Sequence, residues 1–214
     1  VNVSAYKVPT TGKNKGKGLT ISTGAGNDRV TGTKGIDIVK LGEGNDTLTA
    51  GKGNDKIYTE NGTNTLIFNN GDGTDILYKG KGNDTLKFAG LANLSALKGI
   101  KAVKSGNNLK LTYSKSGAVT LSGLFSSGTS VKTLMAKNGN TISFDDFMNT
   151  KTFTFTGKKN KVNKLTGTNY NDVIKGNNKN DILKGGNGKD KIYGYTGKDS
   201  LYAGAGNDYM DGGA

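Results

Sequence analysis

An aspartate or asparagine returns at every ninth residue in two long stretches of this 214-residue chain. Two further aspartates keep the interval after a two-residue slip at Phe68-Asn69. The series consists of Asp28, Asp37, Asp46, Asp55, Asn64, Asp75 and Asp84, followed by Asp172, Asp181, Asp190, Asp199 and Asp208. A strict period of this length is typical of a solenoid of small supersecondary units, so we expect stacked repeats.

Each unit combines a turn with a very short strand, as in GKGNDKIY at 51–58. One apolar residue follows two positions after each acid, flanked by polar neighbours, which is the period-2 pattern of a strand with one inward side chain. These apolar residues are Val30, Val39, Leu48, Ile57, Leu66, Leu77, Leu86, Ile174, Leu183, Ile192, Leu201 and Met210. We expect them to form the core.

Glycines recur two and four residues before the acids, where positive φ and a closely packed backbone cost little. They are Gly24, Gly26, Gly42, Gly44, Gly51, Gly53, Gly71, Gly73, Gly80, Gly82, Gly186, Gly188, Gly204 and Gly206. Such turns can direct carbonyl oxygens inward. If strands and turns alternate on two sides of a flat coil, units two apart stack, and two carboxylates plus several carbonyls surround each gap. This all-oxygen shell of roughly 6–8 ligands suits Ca²⁺ better than Mg²⁺.

At 23–87 and 167–213 the units resemble the nonapeptides of RTX (repeats-in-toxin) proteins, a known Ca²⁺-binding β-helix repeat. The resemblance implies an all-β fold with two right-handed parallel β-roll blocks, joined by a non-repetitive β-rich segment. It also implies several Ca²⁺ ions between stacked turns. Each repeat aspartate would contribute one carboxylate oxygen, and the glycine-rich turns would contribute backbone carbonyls.

Three residues depart from the repeat pattern: Asn64 replaces an acid, and Tyr170 and Lys179 replace glycines. We therefore expect full sites at the pairs 28/46, 37/55, 172/190, 181/199 and 190/208, and weaker ones around Asn64, Asp75 and Asp84. The alternative is a metal-free β protein with Asn-Asp-Gly turns. Turn chemistry alone does not require an acid at every ninth residue, which disfavours this alternative.

The repeat lapses between the two blocks. We predict an N-terminal flank at 1–18, a first roll at 19–87, an intervening capping segment at 88–156 and a second roll at 157–214. Alternation predicts strands at 108–113, 118–121 and 141–144, and one short helix is predicted within 91–98. The intervening segment is similar to the β element that follows RTX blocks, and we expect it to extend or cap the first roll.

Only 32% of residues are hydrophobic and 35 are glycine. Burial can hardly offset an ordering entropy of roughly 1–2 kcal/mol per residue, so the metal is expected to drive folding. Extracellular Ca²⁺ modules work at roughly 10⁻⁴–10⁻³ M, which predicts a secreted protein that folds outside the cell or at a bacterial cell surface. No cysteine, signal peptide or transmembrane run is visible. The resemblance implies export by type I secretion machinery, and we interpret the chain as a fragment of a longer protein.

The formal net charge is +13, which favours polyanionic partners such as acidic polysaccharide, lipopolysaccharide, anionic lipid or nucleic acid, without a specific nucleic-acid site. Cationic and aromatic residues should share outer faces: Lys40 with Tyr58 and Tyr78, Lys175 with Tyr193, and Lys184 with Tyr202. Strand propensity of Tyr and edge protection by Lys explain the same pattern without a ligand.

Catalysis is not expected, because histidine is absent and with it the Ser-His-Asp triad and the zinc-protease motif. Three functional hypotheses remain. The first is a calcium-binding folding module of a secreted toxin, adhesin or surface-layer protein. The second is a calcium-stabilised basic module that binds an anionic polysaccharide or cell surface. The third is a structural spacer.

Overall fold

The computed structural model describes residues 18–214, so nearly all of the expected N-terminal flank lies outside the described residues. The chain divides into two compact units, one ending at Asp145 and one spanning Asp146–Ala214. Strands dominate both units. None of the helices within 18–214 has the length and apolar character needed to cross a membrane.

Short strands alternate between two sheets in the first repeat block. They are β1 Thr20–Ser22, β2 Arg29–Thr31, β3 Ile38–Lys40, β4 Thr47–Thr49, β5 Lys56–Tyr58, β6 Thr65–Phe68, β7 Gly73–Tyr78 and β8 Asp84–Phe88. Odd-numbered strands pair in parallel in one sheet and even-numbered strands in the other. Each coil thus contains two units, and units two apart lie side by side. This arrangement confirms the parallel β-roll.

Register places the predicted apolar residues in two inward columns. Ile21, Val39 and Ile57 are neighbours in one sheet, and Val30 and Leu48 begin the column in the other. Within the first block the predicted core residues are at most 2% exposed. Flanking strand residues face outward, as the period-2 pattern predicts. The core is therefore a narrow double column.

The intervening segment adds strands to both sheets of the first unit. Its elements are α1 Leu94–Lys98, β9 Lys101–Ser105, β10 Asn108–Ser114, β11 Gly117–Ser122, α2 Leu124–Ser127, β12 Val131–Ala136, β13 Thr141–Ser143 and α3 Phe144–Asn149. β11 pairs in parallel with β7, and β12 in parallel with β8. β10 and β9 then continue the first sheet in antiparallel pairing, as β13 does the second. These strands extend the roll and cover its last repeat strands.

The three strands predicted for this segment are confirmed as β10, β11 and β13, although Phe144 begins α3 instead of ending a strand. The predicted helix is confirmed for Leu94–Lys98 only. Asn93 caps this helix, because its side chain accepts a hydrogen bond from the Ala96 N–H at 3.1 Å. β9, β12, α2 and α3 were not predicted from the sequence.

The second unit repeats the two-sheet arrangement with fewer strands. They are β14 Phe153–Thr156, β15 Lys164–Thr166, β16 Asp172–Asn177, β17 Ile182–Asn187, β18 Lys191–Tyr195, β19 Ser200–Ala205 and β20 Tyr209–Asp211. The parallel orders are β14-β16-β18-β20 and β15-β17-β19.

The repeat strands of the second unit enclose a hydrophobic cluster of Ile174, Leu183 and Ile192, which are fully buried, with Phe155, Leu165 and Leu201 packed against them. Met210 was expected in this core but is 50% exposed. The reason is its position on β20, the outermost strand of its sheet among the described residues.

Candidate metal centre

Repeat aspartates form columns along the sides of each roll. The backbone N–H of one acid donates to Oδ1 of the acid two units later, at 2.7–2.9 Å. The linked pairs are 28/46, 37/55, 55/75, 172/190, 181/199 and 190/208. The predicted stacking of units two apart is therefore confirmed, with a step of 18 residues, or 20 across the slip at Phe68-Asn69.

The second carboxylate oxygen has different surroundings. In seven repeat aspartates Oδ2 is buried and has no hydrogen-bond partner: Asp46, Asp55, Asp75, Asp84, Asp181, Asp190 and Asp199. An ionised carboxylate only accepts hydrogen bonds, so an unpartnered oxygen of this kind costs about 1–3 kcal/mol or more. The same atom is unpartnered at several positions in both rolls, and a cation is the group that would satisfy it.

Oδ2 faces the backbone of its own turn. A Cβ added at Gly176, Gly185 or Gly194 would lie 2.3–2.5 Å from Oδ2 of the aspartate five residues later. Only glycine leaves this space open. The space beside each Oδ2 is therefore lined by a carboxylate oxygen and the peptide groups of the turn.

Adjacent turns approach each other closely, which explains the paired glycines. A Cβ at Gly42 would lie 2.0 Å from the Gly24 carbonyl oxygen, and one at Gly44 would lie 2.2 Å from the Gly26 oxygen. Gly42 and Gly44 also have φ of 78° and 123°. The Gly24 oxygen accepts one hydrogen bond from the Glu43 N–H at 2.8 Å, which leaves its second lone pair available.

Gly80 and Gly82 differ from the other paired glycines, because neither is in the left-handed region that the sequence analysis expected. Their turn is covered by the intervening segment instead of another repeat. The Ser130 carbonyl accepts the Asp84 N–H at 2.8 Å, and its hydroxyl accepts the Gly80 N–H at 3.4 Å.

Burial destabilises the charged form of these acids. Desolvation by burial, with a smaller effect of neighbouring acids, raises the pKa of Asp55 to about 6 and that of Asp75 to about 7. Burial also raises the pKa of Asp46 and of Asp190. Without a counter-charge, each column therefore holds its carboxylates in an unfavourable state at neutral pH.

Side chains alone do not complete a metal shell. Within residues 18–214, no three acidic, histidine or cysteine side chains converge on one point. Any ion must combine one or two carboxylates with backbone carbonyls. Ca²⁺ accepts such mixed oxygen shells, so the donor set fits it.

A family model described as RTX calcium-binding nonapeptide repeat (4 copies) matches the chain several times, at residues 20–39, 31–66, 41–74, 71–86, 166–201 and 185–214. Together the matches cover more than half of the sequence. The chain belongs to the RTX calcium-binding nonapeptide repeat family. No curated protein matches it.

Asp72 was not predicted as a site residue, because it lies inside an RTX turn but off the nine-residue series. It is 5% exposed, accepts a hydrogen bond from the Asn69 N–H at 2.6 Å, and raises the pKa of both Asp55 and Asp75. The signal was the GDGTD sequence directly after the two-residue slip.

Asparagines that precede the RTX aspartates form a second ladder that was also missed. The Asn27 side-chain oxygen accepts the Asn45 N–H at 2.7 Å, and the Asn45 oxygen accepts the Thr63 N–H at 2.8 Å. Asn171 accepts the Lys189 N–H in the same way at 2.8 Å. The repeated Gly-Asn-Asp triplet was the signal, because the ladder fixes the turn spacing beside the acids.

Proposed function

We propose that this RTX chain is a calcium-binding module of a secreted bacterial protein, and that it folds when Ca²⁺ binds outside the cell. The observation that carries the proposal is the recurrence of buried, unpartnered Oδ2 atoms along both rolls. Ca²⁺ would supply the missing positive charge. The Oδ2 atoms and the carbonyls of the glycine-rich turns would hold it, with Gly24, Gly42, Gly186 and Gly204 at representative positions.

Coupling between metal and fold supports an extracellular setting. The hydrophobic cluster between the repeat strands of the second unit has three fully buried side chains, so metal binding must supply much of the folding free energy of these repeats. Millimolar Ca²⁺ is found outside cells, where modules of this kind bind at roughly 10⁻⁴–10⁻³ M. Export by type I secretion machinery and a parent toxin, adhesin or surface-layer protein belong to this proposal and rest on family membership.

We assign the module a structural role and no catalytic one. Histidine is absent from the chain. The regular repeat aspartates lie in columns between stacked turns, and Asp37, Asp55 and Asp172 are fully buried, where a substrate cannot reach them. Their geometry suits coordination of a cation and not proton transfer to a substrate.

Far-UV circular dichroism of the full chain tests the proposal. In EDTA we expect a largely disordered spectrum, and millimolar Ca²⁺ should produce a cooperative gain of β signal that equal Mg²⁺ does not reproduce. Asp55→Ala should weaken the response, whereas Asp211→Asn, at an exposed residue off the columns, should not. Identical spectra in EDTA and in Ca²⁺ would refute calcium-coupled folding.

A second function is favoured by one outer face of the first roll. Lys40, Tyr58 and Tyr78 are neighbours in one row, and the two tyrosine rings stack at a centroid distance of 4.4 Å. With a net charge of +13, this row suits an anionic polysaccharide at a cell surface. In the second unit, the Lys184 amine lies 5.6 Å from the Tyr202 ring centroid.

Heparin or alginate chromatography in Ca²⁺ would test this second function. We expect retention that survives about 0.3 M salt, beyond the screening of loose charge contacts. Retention should fall in the Tyr58→Ala/Tyr78→Ala double variant and persist in Tyr195→Ala, which removes a tyrosine outside the row. Equal retention of both variants would assign the binding to net charge alone.

A further inference from the structure

Two repeat positions carry asparagine, and their amide groups occupy the place of the unpartnered aspartate oxygen. The Asn64 Oδ1 accepts the Asp46 N–H at 2.9 Å, as an aspartate would, which directs the NH₂ group into the turn. This NH₂ donates to the Thr59 carbonyl at 3.2 Å and to Asp84 Oδ1 at 3.0 Å. The Asn64 turn thus has donors where neighbouring turns have none.

Asn163 repeats this arrangement in the second unit. Its Nδ2 donates to the Lys158 and Lys161 carbonyls at 3.2 and 3.0 Å and to Asp181 Oδ1 at 3.0 Å. Two carbonyls of its own turn and the Asp181 carboxylate of the stacked turn two units later therefore converge on one nitrogen. An aspartate here would place a fourth oxygen against these three, an arrangement that requires a cation between them.

Threonine closes two further turns by another route. The Thr33 N–H donates to Asp37 Oδ2 at 2.6 Å, and its hydroxyl donates to Asp37 Oδ1 at 2.9 Å. Thr168 does the same for Asp172, with its N–H at 2.6 Å from Oδ2 and its hydroxyl within 3.2 Å of both carboxylate oxygens. Each threonine replaces the glycine that most other turns have four residues before the acid.

We propose that Asn64, Asn163, Thr33 and Thr168 replace calcium in their turns, so that four of the RTX turns close without an ion. The proposal rests on the calcium function above. Ions then enter the turns whose Oδ2 lacks a donor, such as those ending at Asp46, Asp55, Asp181 and Asp190. Each roll therefore contains both metal-requiring and metal-independent turns.

The second unit shows the consequence most directly. Its metal-independent turns, ending at Asn163 and Asp172, are consecutive. The first leads into β15 and the second into β16, and these strands lie in different sheets. One closed turn thus begins each column. Calcium-dependent turns can add to both columns from a preformed end, which lowers the number of turns that must close at once.

Anomalous diffraction from calcium-saturated crystals of the 214-residue chain locates the ions directly. We expect calcium peaks in the turns of Asp46, Asp55, Asp181 and Asp190, and none in the four turns closed by side chains. Peaks in both groups of turns would overturn the proposal while leaving the calcium function intact. A map without calcium in any turn would overturn the calcium function as well.

Ion counting by native mass spectrometry gives a second measurement in solution. Asn64→Asp and Asn163→Asp should each bind one additional Ca²⁺, and Thr168→Gly should do the same. Asn138→Asp is the matched control, because it makes the same charge change at an exposed hairpin turn outside the repeats. An unchanged ion count in folded Asn64→Asp and Asn163→Asp would contradict the proposal, and the wild-type diffraction map decides it if a variant does not fold.

Discussion

At the scale of single residues, the protonation of buried aspartates controls the stability of the calcium-free rolls. The pKa of Asp55 is about 6 and that of Asp75 about 7 in the folded chain, against 3.8 for an unperturbed aspartate. The folded state therefore binds protons more tightly than the unfolded state. The contribution of these two aspartates to the stability of the calcium-free fold is fully present below about pH 4 and is lost as the pH rises through 6 and 7.

This linkage predicts that acid partly replaces calcium. In EDTA, lowering the pH from about 8 to about 5 should increase the β signal in circular dichroism, because protonation removes the repulsion between stacked acids. Protons should also compete with the metal, so the calcium midpoint should rise at acid pH. A calcium-free spectrum that does not change over this range would contradict the linkage.

Asp181→Asn separates the acceptor role of a repeat acid from its metal role. Asparagine retains Oδ1, which accepts the Asn163 N–H, and its NH₂ would supply a donor in place of the unpartnered Oδ2. We expect one fewer bound ion but folding at a lower calcium concentration, with about 1–3 kcal/mol regained by removing the unpartnered charged oxygen.

The matched control for this prediction is Asp181→Ala, which loses both the acceptor and the metal ligand and should require more calcium than the wild type. Calcium titrations followed by circular dichroism compare the three proteins. Equal calcium midpoints for the Asn and Ala variants would show that the amide group of asparagine does not stabilise this turn.

The sequence predicted which acids stack, because an exact nine-residue interval leaves one register for units two apart. It did not predict that the two oxygens of each carboxylate differ. That difference depends on which backbone N–H meets Oδ1, a three-dimensional relation between residues 18 apart. The closing roles of Thr33 and Thr168 were missed for the same reason, since a threonine in a turn is ordinary by composition.

At the scale of the element, the contact between stacked turns should contribute more to the free energy of unfolding than the backbone conformation of a single turn. Gly24 and Gly42 occupy the same turn position with similar φ, 86° and 78°. A Cβ at Gly24 would meet nothing within 4 Å, whereas one at Gly42 would meet the Gly24 oxygen at 2.0 Å. The pair therefore isolates the stacking contact.

Gly24→Ala should cost about 1–2 kcal/mol, the usual penalty for a left-handed L residue. Gly42→Ala should cost about 1–3 kcal/mol more, because its methyl group forces the adjacent turn away. Thermal unfolding in saturating Ca²⁺ measures both changes. Equal losses of stability would show that the turns separate without cost.

Element prediction succeeded where alternation was local and failed where pairing partners are distant. β10 and β11 carry clear alternation and were predicted. β9 has three exposed residues, Lys101, Val103 and Ser105, and no buried one, so its sequence has little strand signal. β12 is fixed by parallel pairing with β8, more than forty residues earlier, which no local pattern records.

At the scale of the whole molecule, the two compact units should differ in their sensitivity to core mutations. Leu183 is one of three fully buried residues in the hydrophobic cluster that the repeat strands of the second unit enclose. Leu183→Ala should cost about 2–5 kcal/mol, enough to unfold a unit with so small a core. The first unit has a much longer core and should remain folded.

Hydrogen exchange with mass spectrometry in saturating Ca²⁺ resolves the two units separately. Peptides from β16 to β19 should lose protection in Leu183→Ala, while peptides from β3 to β8 should keep it. Val103→Ala, at a residue 43% exposed, is the control. Loss of protection in both groups would show that the units unfold as one.

The 18-residue step between stacked neighbours also restricts how such a chain can change in length. Gain or loss of two units preserves the side on which each later segment docks, so β11 would still meet the sheet that contains β7. Gain or loss of one unit would move every downstream strand to the opposite sheet relative to the upstream strands, so a unit lost between β3 and β5 would separate Lys40 from the row of Tyr58 and Tyr78. Evolution and engineering of this module should therefore proceed by duplication of whole coils.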